Sequence, residues 1–342
     1  MGATLLENGP SDASHGPACD VIHALPAVTE AAQNVPNMEL TWVVEEGFAD
    51  IPARHPAVKR VVPVALRRWR RNGIGAQQEV SRFFRDLRGE TYDLVLDSQG
   101  LLKSAVIALV ARGPVAGYDR RSAREGLAAA FYQQHAPVDR RLHAVMRQKQ
   151  LFAASLGYTV SEQVDYGLAQ QQRAERSLVF LHGTSWASKE WPLACWQQLA
   201  TLVNEGGYNI LLPAGNAVEA ERAQQILAGH QGRILEQAPL AELMDEIARC
   251  AGAVSVDTGL GHLATAMNLP VTAIFGATDP DLTAMFGPKS KVIVSGHLPC
   301  IPCKKRDCQY PNSGDSSNIY PPCLNRTTPE KVWQAFQLQT GS

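Results

Sequence analysis

Two doubly wound α/β domains, each built on a parallel sheet of Rossmann type, are the fold this chain predicts. Three observations carry the prediction. Short apolar strands alternate with helical segments through both halves, which is the pattern of parallel βαβ units. At 342 residues the chain is too long for one ordinary core and suits two. Between the halves, residues 157–176 are polar, Gln-rich and without apolar periodicity, as a linker would be. The expected domains are therefore 1–165 and 166–325, with a closing helix in 326–342.

The elements follow in order. Residues 1–18 mix Gly, Pro, Ser, Asp and Asn; only Ala3-Thr4-Leu5-Leu6 has strand character, so the stretch reads as mostly irregular. From Val21 to Ala32 the pattern is helical, with Pro26 acceptable near a first turn or at a kink. Leu40–Glu45, Val58–Val64 and Tyr92–Asp97 read as strands; Ala76–Arg88 and Leu101–Ala111 read as helices. In the second half Leu178–His182, Asn209–Pro213, Ala253–Val256 and Val271–Phe275 are strands. Trp196–Glu205, Val218–Ala228 and Leu240–Cys250 are helices between them. Thr328-Pro329-Glu330 is a helix start, followed by an apolar face of Val332, Trp333 and Phe336.

Composition excludes several classes. With 45% hydrophobic and 19% charged residues and a formal net charge of −1, the chain is an ordinary globular one, not a general nucleic-acid binder. No apolar run approaches the roughly 20 residues of a membrane span, and the N-terminus lacks the basic start and apolar block of a secretory signal. Cytoplasmic residence is the expectation. Charge is unevenly spread, however: Arg67-Arg68-Trp69-Arg70-Arg71 and Arg120-Arg121 with Arg124 make the first half locally basic.

The chemistry concentrates at strand ends of the second half. Ser255-Val256-Asp257-Thr258-Gly259-Leu260-Gly261-His262 runs from an apolar strand straight into a helix. Free amides and the dipole at such a helix start suit an anion such as a diphosphate. After the first strand of this half come Thr184, Ser185 and Lys189, two hydroxyls and an ammonium fit for phosphate. After the second comes Glu219, placed either to accept from a ribose or simply to offset a helix dipole. Three such loops on one sheet edge point to a nucleotide.

Several stretches resemble the bacterial lipopolysaccharide heptosyltransferases: 42–48 (Trp-Val-Val-Glu-Glu-Gly-Phe), Arg67–Arg70, 97–104 (Asp-Ser-Gln-Gly-Leu-Leu-Lys-Ser), Ser122–Glu125 and Val256–Leu263. The resemblance runs from about Asp20 to Phe275-Gly276-Ala277-Thr278-Asp279-Pro280, most of the chain, and is closest to the branch that adds the first heptose. It implies a GT-B fold, two Rossmann-like domains facing across a cleft. It also implies an ADP-heptose donor and inverting transfer to the 3-deoxy-manno-octulosonate (Kdo) of Kdo₂-lipid A, with the enzyme peripheral at the cytoplasmic face of the inner membrane. Carried over residue by residue, it places the donor on Thr184, Ser185, Lys189, Glu219, Asp257, Thr258, Gly259 and His262. The general base falls on Asp20, and the acceptor contacts on Arg67, Arg68, Arg70, Arg71, Arg124, Asp97 and Gln99. Lys103 is expected at the surface. No cofactor is required for catalysis. Alternatives within reach are the branch acting on an already heptosylated acceptor and a non-catalytic nucleotide-sugar binder.

Two departures from the family stand out. Its members open on a regular strand and a Ser-x-Gly-Asp turn, whereas here residues 8–20 are irregular, with Cys19 in place of Gly. That predicts a first sheet without its central strand, a poorly aimed Asp20 and weak or no activity. The second departure is Cys300-x₂-Cys303-x₄-Cys308 with Cys323 beyond, a spacing suited to a structural Zn or Fe. Cys19, Cys195 and Cys250 are scattered, the latter two in helical segments that suit small buried side chains.

Overall fold

The computed structural model describes residues 2–7, 17–169, 176–295, 298–310 and 321–341. The chain forms two compact units, the first holding the N-terminal strand and residues 20–169, the second holding residues 17–19 and those that follow 169. The expected closing helix, Pro329–Thr340, packs into the core of the second.

The first unit holds a six-stranded sheet of β1 (Gly2–Glu7), β2 (Glu39–Glu45), β3 (Val58–Val64), β4 (Leu94–Asp97), β5 (Val115–Tyr118) and β6 (Gln134–Ala136). Its order is β3-β2-β1-β4-β5-β6. All neighbouring pairs are parallel. The expectation of a missing central strand is overturned: β1 occupies the centre, with Leu5 opposite Trp42 on one side and Leu96 on the other. The strand was hidden by its length and by the Gly and Pro that follow it. Residues 8–16, the irregular stretch, lie outside the described residues. The helix Pro17–Asn34 begins earlier than the apolar pattern suggests, so Asp20 and Cys19 sit in its first turn. Helical backbone accepts any side chain but proline's freely, so cysteine in place of glycine costs nothing there. Pro26 lies inside this helix, neither at its start nor at its end, and leaves the Ile22 carbonyl without a helical amide partner.

The second unit repeats the plan with β7 (Ser177–Leu181), β8 (Asn209–Ala214), β9 (Gly232–Glu236), β10 (Gly252–Val256), β11 (Val271–Phe275) and β12 (Ser290–Val294). The order is β12-β11-β10-β7-β8-β9, again all parallel. Counted from its own first strand, this is the order of the first sheet. In both, the first and fourth strands lie side by side and their outgoing connections diverge, making the switch point where doubly wound sheets take ligands. The other missed strands are short or edge-lying: β5 spans 4 residues, β6 is Gln134-His135-Ala136, and β9 and β12 are terminal and partly exposed. Packing on the second sheet is aromatic. Trp191 and Trp196 meet edge to face at 5.0 Å, and Trp333 stacks on Phe336 at 5.7 Å.

Two histidines are folded in as neutral rings. His55 is buried with its Nε2 2.9 Å from the Thr29 hydroxyl, and burial depresses it from 6.5 to about 4. His182, 1% exposed at the end of β7, is depressed to about 4 by burial and then by the Arg222 charge. Between those values the unfolded chain binds protons that the folded chain refuses, so stability falls as pH drops through that window. Urea midpoints should therefore decrease from about pH 7 through 5.5 to 4.5, and His55→Gln should flatten the decline. Midpoints that stay constant across the window contradict this account.

Candidate active site

In the second unit, β10 delivers Asp257 to the switch point, where it is 3% exposed. One of its oxygens, Oδ2, accepts from Lys189 Nζ at 2.6 Å and from the Thr278 hydroxyl at 2.6 Å. The other, Oδ1, lies 3.6 Å from His262 Nε2. Lys189 also lies over the Trp186 ring, 4.7 Å from its centroid, so the ammonium is fixed from two sides. The helix Gly259–Ala266 starts at Thr258, whose side chain makes no capping bond. Thr258, Gly259 and Leu260 are half-buried while the rest of the helix is buried, so its open end is the accessible end. The amides of Gly259 and Leu260 have no acceptor within a helix that has only just begun.

The loop after β7 places Thr184 half-buried and Ser185 exposed, beside Gly183. Glu219 reaches the same loop from the first turn of the helix Ala217–Leu227; its Oε2 accepts from the Gly215 amide at 2.8 Å. A Cβ on Gly183 would stand 3.0 Å from the Glu219 carboxyl carbon, so the two lie in close contact. Asp257, Lys189, His262 and the start of the 259–266 helix thus form one cluster, with Glu219 and Gly183 on the adjoining loops. Thr278 and Trp186 belong to the cluster although neither was singled out in the sequence. The available signal was a hydroxyl just beyond β11, the neighbour of β10.

The first unit gathers a second group. Asp20 is 7% exposed and held by both Arg124 guanidinium nitrogens, Nη2 to Oδ1 at 2.9 Å and Nη1 to Oδ2 at 3.2 Å. Gln99 Nε2 also donates to Asp20, at 3.4 Å. Asp97, expected among the acceptor contacts, is engaged within its own unit. It is fully buried, and its oxygens accept from the Gln99 and Gly100 amides and from the Ser104 and Tyr132 hydroxyls at 2.7–3.3 Å. Burial pushes its carboxyl up and these donors pull it down. Asp97 therefore shapes the turn that presents Gln99. Gly100, at φ +65°, packs its α-carbon so close to Ala123 that a side chain would be strained. Lys103, expected at the surface, is half-buried. Burial lowers its ammonium, while Glu125, Glu45 and Asp20 raise it and Arg124 lowers it further.

The arginine run lies on the helix Leu66–Asn72, an element apart from this group. Arg68 is tied to Glu46 at 2.9 Å and Glu79 at 2.5 Å, whereas Arg67, Arg70 and Arg71 are exposed. All seven cysteines are free thiols. Cys300, Cys303, Cys308 and Cys323 line one cavity of about 320 Å³ with Leu298, Ile301 and Tyr310 among its other walls. Burial pushes the Cys323 thiol up to about 11, and the neighbouring thiols add to the shift. Among the described residues no three His, Cys, Asp or Glu side chains stand in an arrangement that holds a metal ion. Nor is any helix among them long and apolar enough to cross a membrane.

Comparison with known proteins decides the family. A model described as glycosyltransferase family 9 (heptosyltransferase) matches residues 80–313. The lipopolysaccharide heptosyltransferase 1 of Pseudomonas aeruginosa is 46% identical over 336 residues, 94% of each chain. This chain belongs to glycosyltransferase family 9. The solved structure of E. coli heptosyltransferase WaaC with ADP matches this family 9 chain with a TM-score of 0.86 and 34% identity, covering 99% of this chain and 100% of that one. The E. coli heptosyltransferase WaaC with ADP-2-deoxy-2-fluoro heptose matches with a TM-score of 0.81 and 35% identity, covering 99% of each chain. The fold class is accordingly the GT-B one, with two Rossmann-like units.

The buried Asp97 network gives this family 9 chain a measurable weak point. Tyr132→Phe removes one of the two hydroxyls on Oδ2 and should lower unfolding free energy by about 1–3 kcal/mol. A urea titration checks it; a loss below about 0.5 kcal/mol would mean the phenol is dispensable to Asp97.

Proposed function

We propose that this chain transfers L-glycero-D-manno-heptose from ADP-heptose to the Kdo of Kdo₂-lipid A, with inversion, in lipopolysaccharide inner-core synthesis. The observation that supports this most is the Lys189 ammonium held 2.6 Å from Asp257 beside the accessible start of the 259–266 helix. A pinned cation and unpaired amides suit the two phosphates of a nucleoside-diphosphate sugar. In this reading Thr184, Ser185 and Lys189 meet the phosphates, Glu219 the ribose, and Thr258, Gly259 and His262 the diphosphate and heptose. Asp257 acts by fixing Lys189.

The acceptor hydroxyl gives its proton to Asp20 as the bond from heptose to ADP breaks on the opposite face. Arg124 and Gln99 hold the Asp20 carboxylate in one orientation. Arg67, Arg70 and Arg71, exposed on their helix, would meet acceptor carboxylates or phosphates and draw the protein to the anionic cytoplasmic face of the inner membrane. Charge on the departing diphosphate is met by Lys189 and backbone amides, so the transfer itself needs no metal. The first-heptose reading draws on the 46% identity over nearly the whole chain.

The assay offers ADP-heptose with either Kdo₂-lipid A or its mono-heptosylated form. Product on the bare acceptor is expected; product on the heptosylated acceptor alone assigns the chain to the second transfer instead. Asp20→Asn should lower turnover about 10²- to 10⁴-fold with ADP affinity nearly unchanged, whereas Asp257→Asn should weaken ADP binding as well. An Asp20→Asn protein keeping more than about a tenth of the rate removes Asp20 from the mechanism.

The four cysteines of the tail receive a separate role, ligation of a structural Zn or Fe. Four thiols facing one cavity support it, and an ion would have to draw them closer together. Protein purified without oxygen should contain about one such ion per chain, lost in a Cys300→Ser/Cys303→Ser variant. A metal-free preparation rejects this role and leaves the transfer reading untouched.

A further inference from the structure

The loop that carries the cysteines is fastened to the donor cluster at two points, and neither fastening involves a residue expected to touch the donor. On one side, Ser188 donates its amide to the Arg306 carbonyl at 3.0 Å and its hydroxyl to the Lys305 carbonyl at 2.5 Å. On the other, the Lys304 amide donates to the Ala277 carbonyl at 2.8 Å, and its ammonium lies 3.4 Å from Asp279. Ser188 immediately precedes Lys189, and Ala277 immediately precedes Thr278. Lys189 and Thr278 are the two groups that converge at 2.6 Å on the same oxygen of Asp257.

Residues 304–306 therefore bridge the segments that feed Asp257 from β7 and from β11. Lys304 takes up φ +52° to do so, a left-handed conformation that side-chain-bearing residues adopt at a cost. Ser188 itself is 1% exposed, while Lys305 and Arg306, whose carbonyls it donates to, are exposed. Both of its polar groups are committed to the loop, which fixes the peptide that carries Lys189.

We propose that residues 304–306 form a strap that sets the position of the Lys189 ammonium and the Thr278 hydroxyl, with Ser188 as a positioning residue for nucleoside-diphosphate binding. The proposal rests on the donor-site reading given above. Its specific content is that donor affinity depends on a loop that touches no donor atom. Cys303 and Cys308 bracket the strap in the sequence.

The test is ADP affinity by titration calorimetry, together with donor and acceptor KM, for the full chain and for Ser188→Ala and Ser188→Thr. Ser188→Ala should weaken ADP binding and raise donor KM about tenfold, the equivalent of one net buried hydrogen bond, with acceptor KM unchanged. Ser188→Thr keeps the hydroxyl and should recover most of the loss. Lys304→Pro removes the other fastening, since proline has no amide hydrogen and cannot adopt φ +52°; it should reproduce the defect if Ser188→Ala fails to fold. Unchanged ADP affinity in a folded variant overturns the strap, as does an equal rise in acceptor KM or a defect that Ser188→Thr does not relieve. Failure of the unaltered chain to bind ADP at all would instead overturn the donor-site reading.

Discussion

The contact on which the rest of the structure turns is the buried pair between Asp257 and Lys189. Both side chains are more than nine-tenths buried, and removing two charges from water is costly unless they meet closely and their remaining valences are used. Here the carboxylate is shared with the Thr278 hydroxyl and approached by His262, and the ammonium rests on Trp186. Such a pair adds little to stability by itself. What it supplies is a cation held at one place; in the transfer proposed above, no reorganisation is then needed when negative charge grows on the leaving group.

The two sheets share one strand order, and the comparison between them is instructive. Each ends its fourth strand with an aspartate at the switch point: Asp97 closes β4 and Asp257 follows β10. In the first unit the carboxylate is consumed by two turn amides and two hydroxyls and serves to shape the turn bearing Gln99. In the second it holds an ammonium. Identical topology delivers a carboxylate to the same place, and the neighbours decide whether it builds a loop or anchors a charge. In the first unit a second carboxylate stands one step removed: Asp20, gripped by Arg124 and touched by Gln99, is the base of the proposed transfer.

Much of this was legible in the sequence. Alternating strands and helices gave two doubly wound units, and Asp257 to His262 read as a strand running into an anion-binding helix start because period and glycine placement are local signals. What stayed hidden depended on contacts distant in sequence. The β1 strand lies among turn-forming residues, and only its pairing with β2 and β4 makes it a strand. The burial of Asp97, placed among the acceptor contacts by the resemblance, stayed hidden because the hydroxyl of Tyr132, 35 residues on, has no local signature. Lys103 looked like a surface lysine because its surroundings are assembled from Glu45, Asp20 and Glu125. The place of Thr278 beside Asp257 required β11 to lie beside β10.

A crystal structure of this chain with ADP tests the central claim most directly. The diphosphate should lie against Lys189 and the amides of Gly259 and Leu260, with the Asp257–Lys189 pair intact and the ribose facing Glu219. Nucleotide bound elsewhere, or at this place with Lys189 turned away from Asp257, would contradict it.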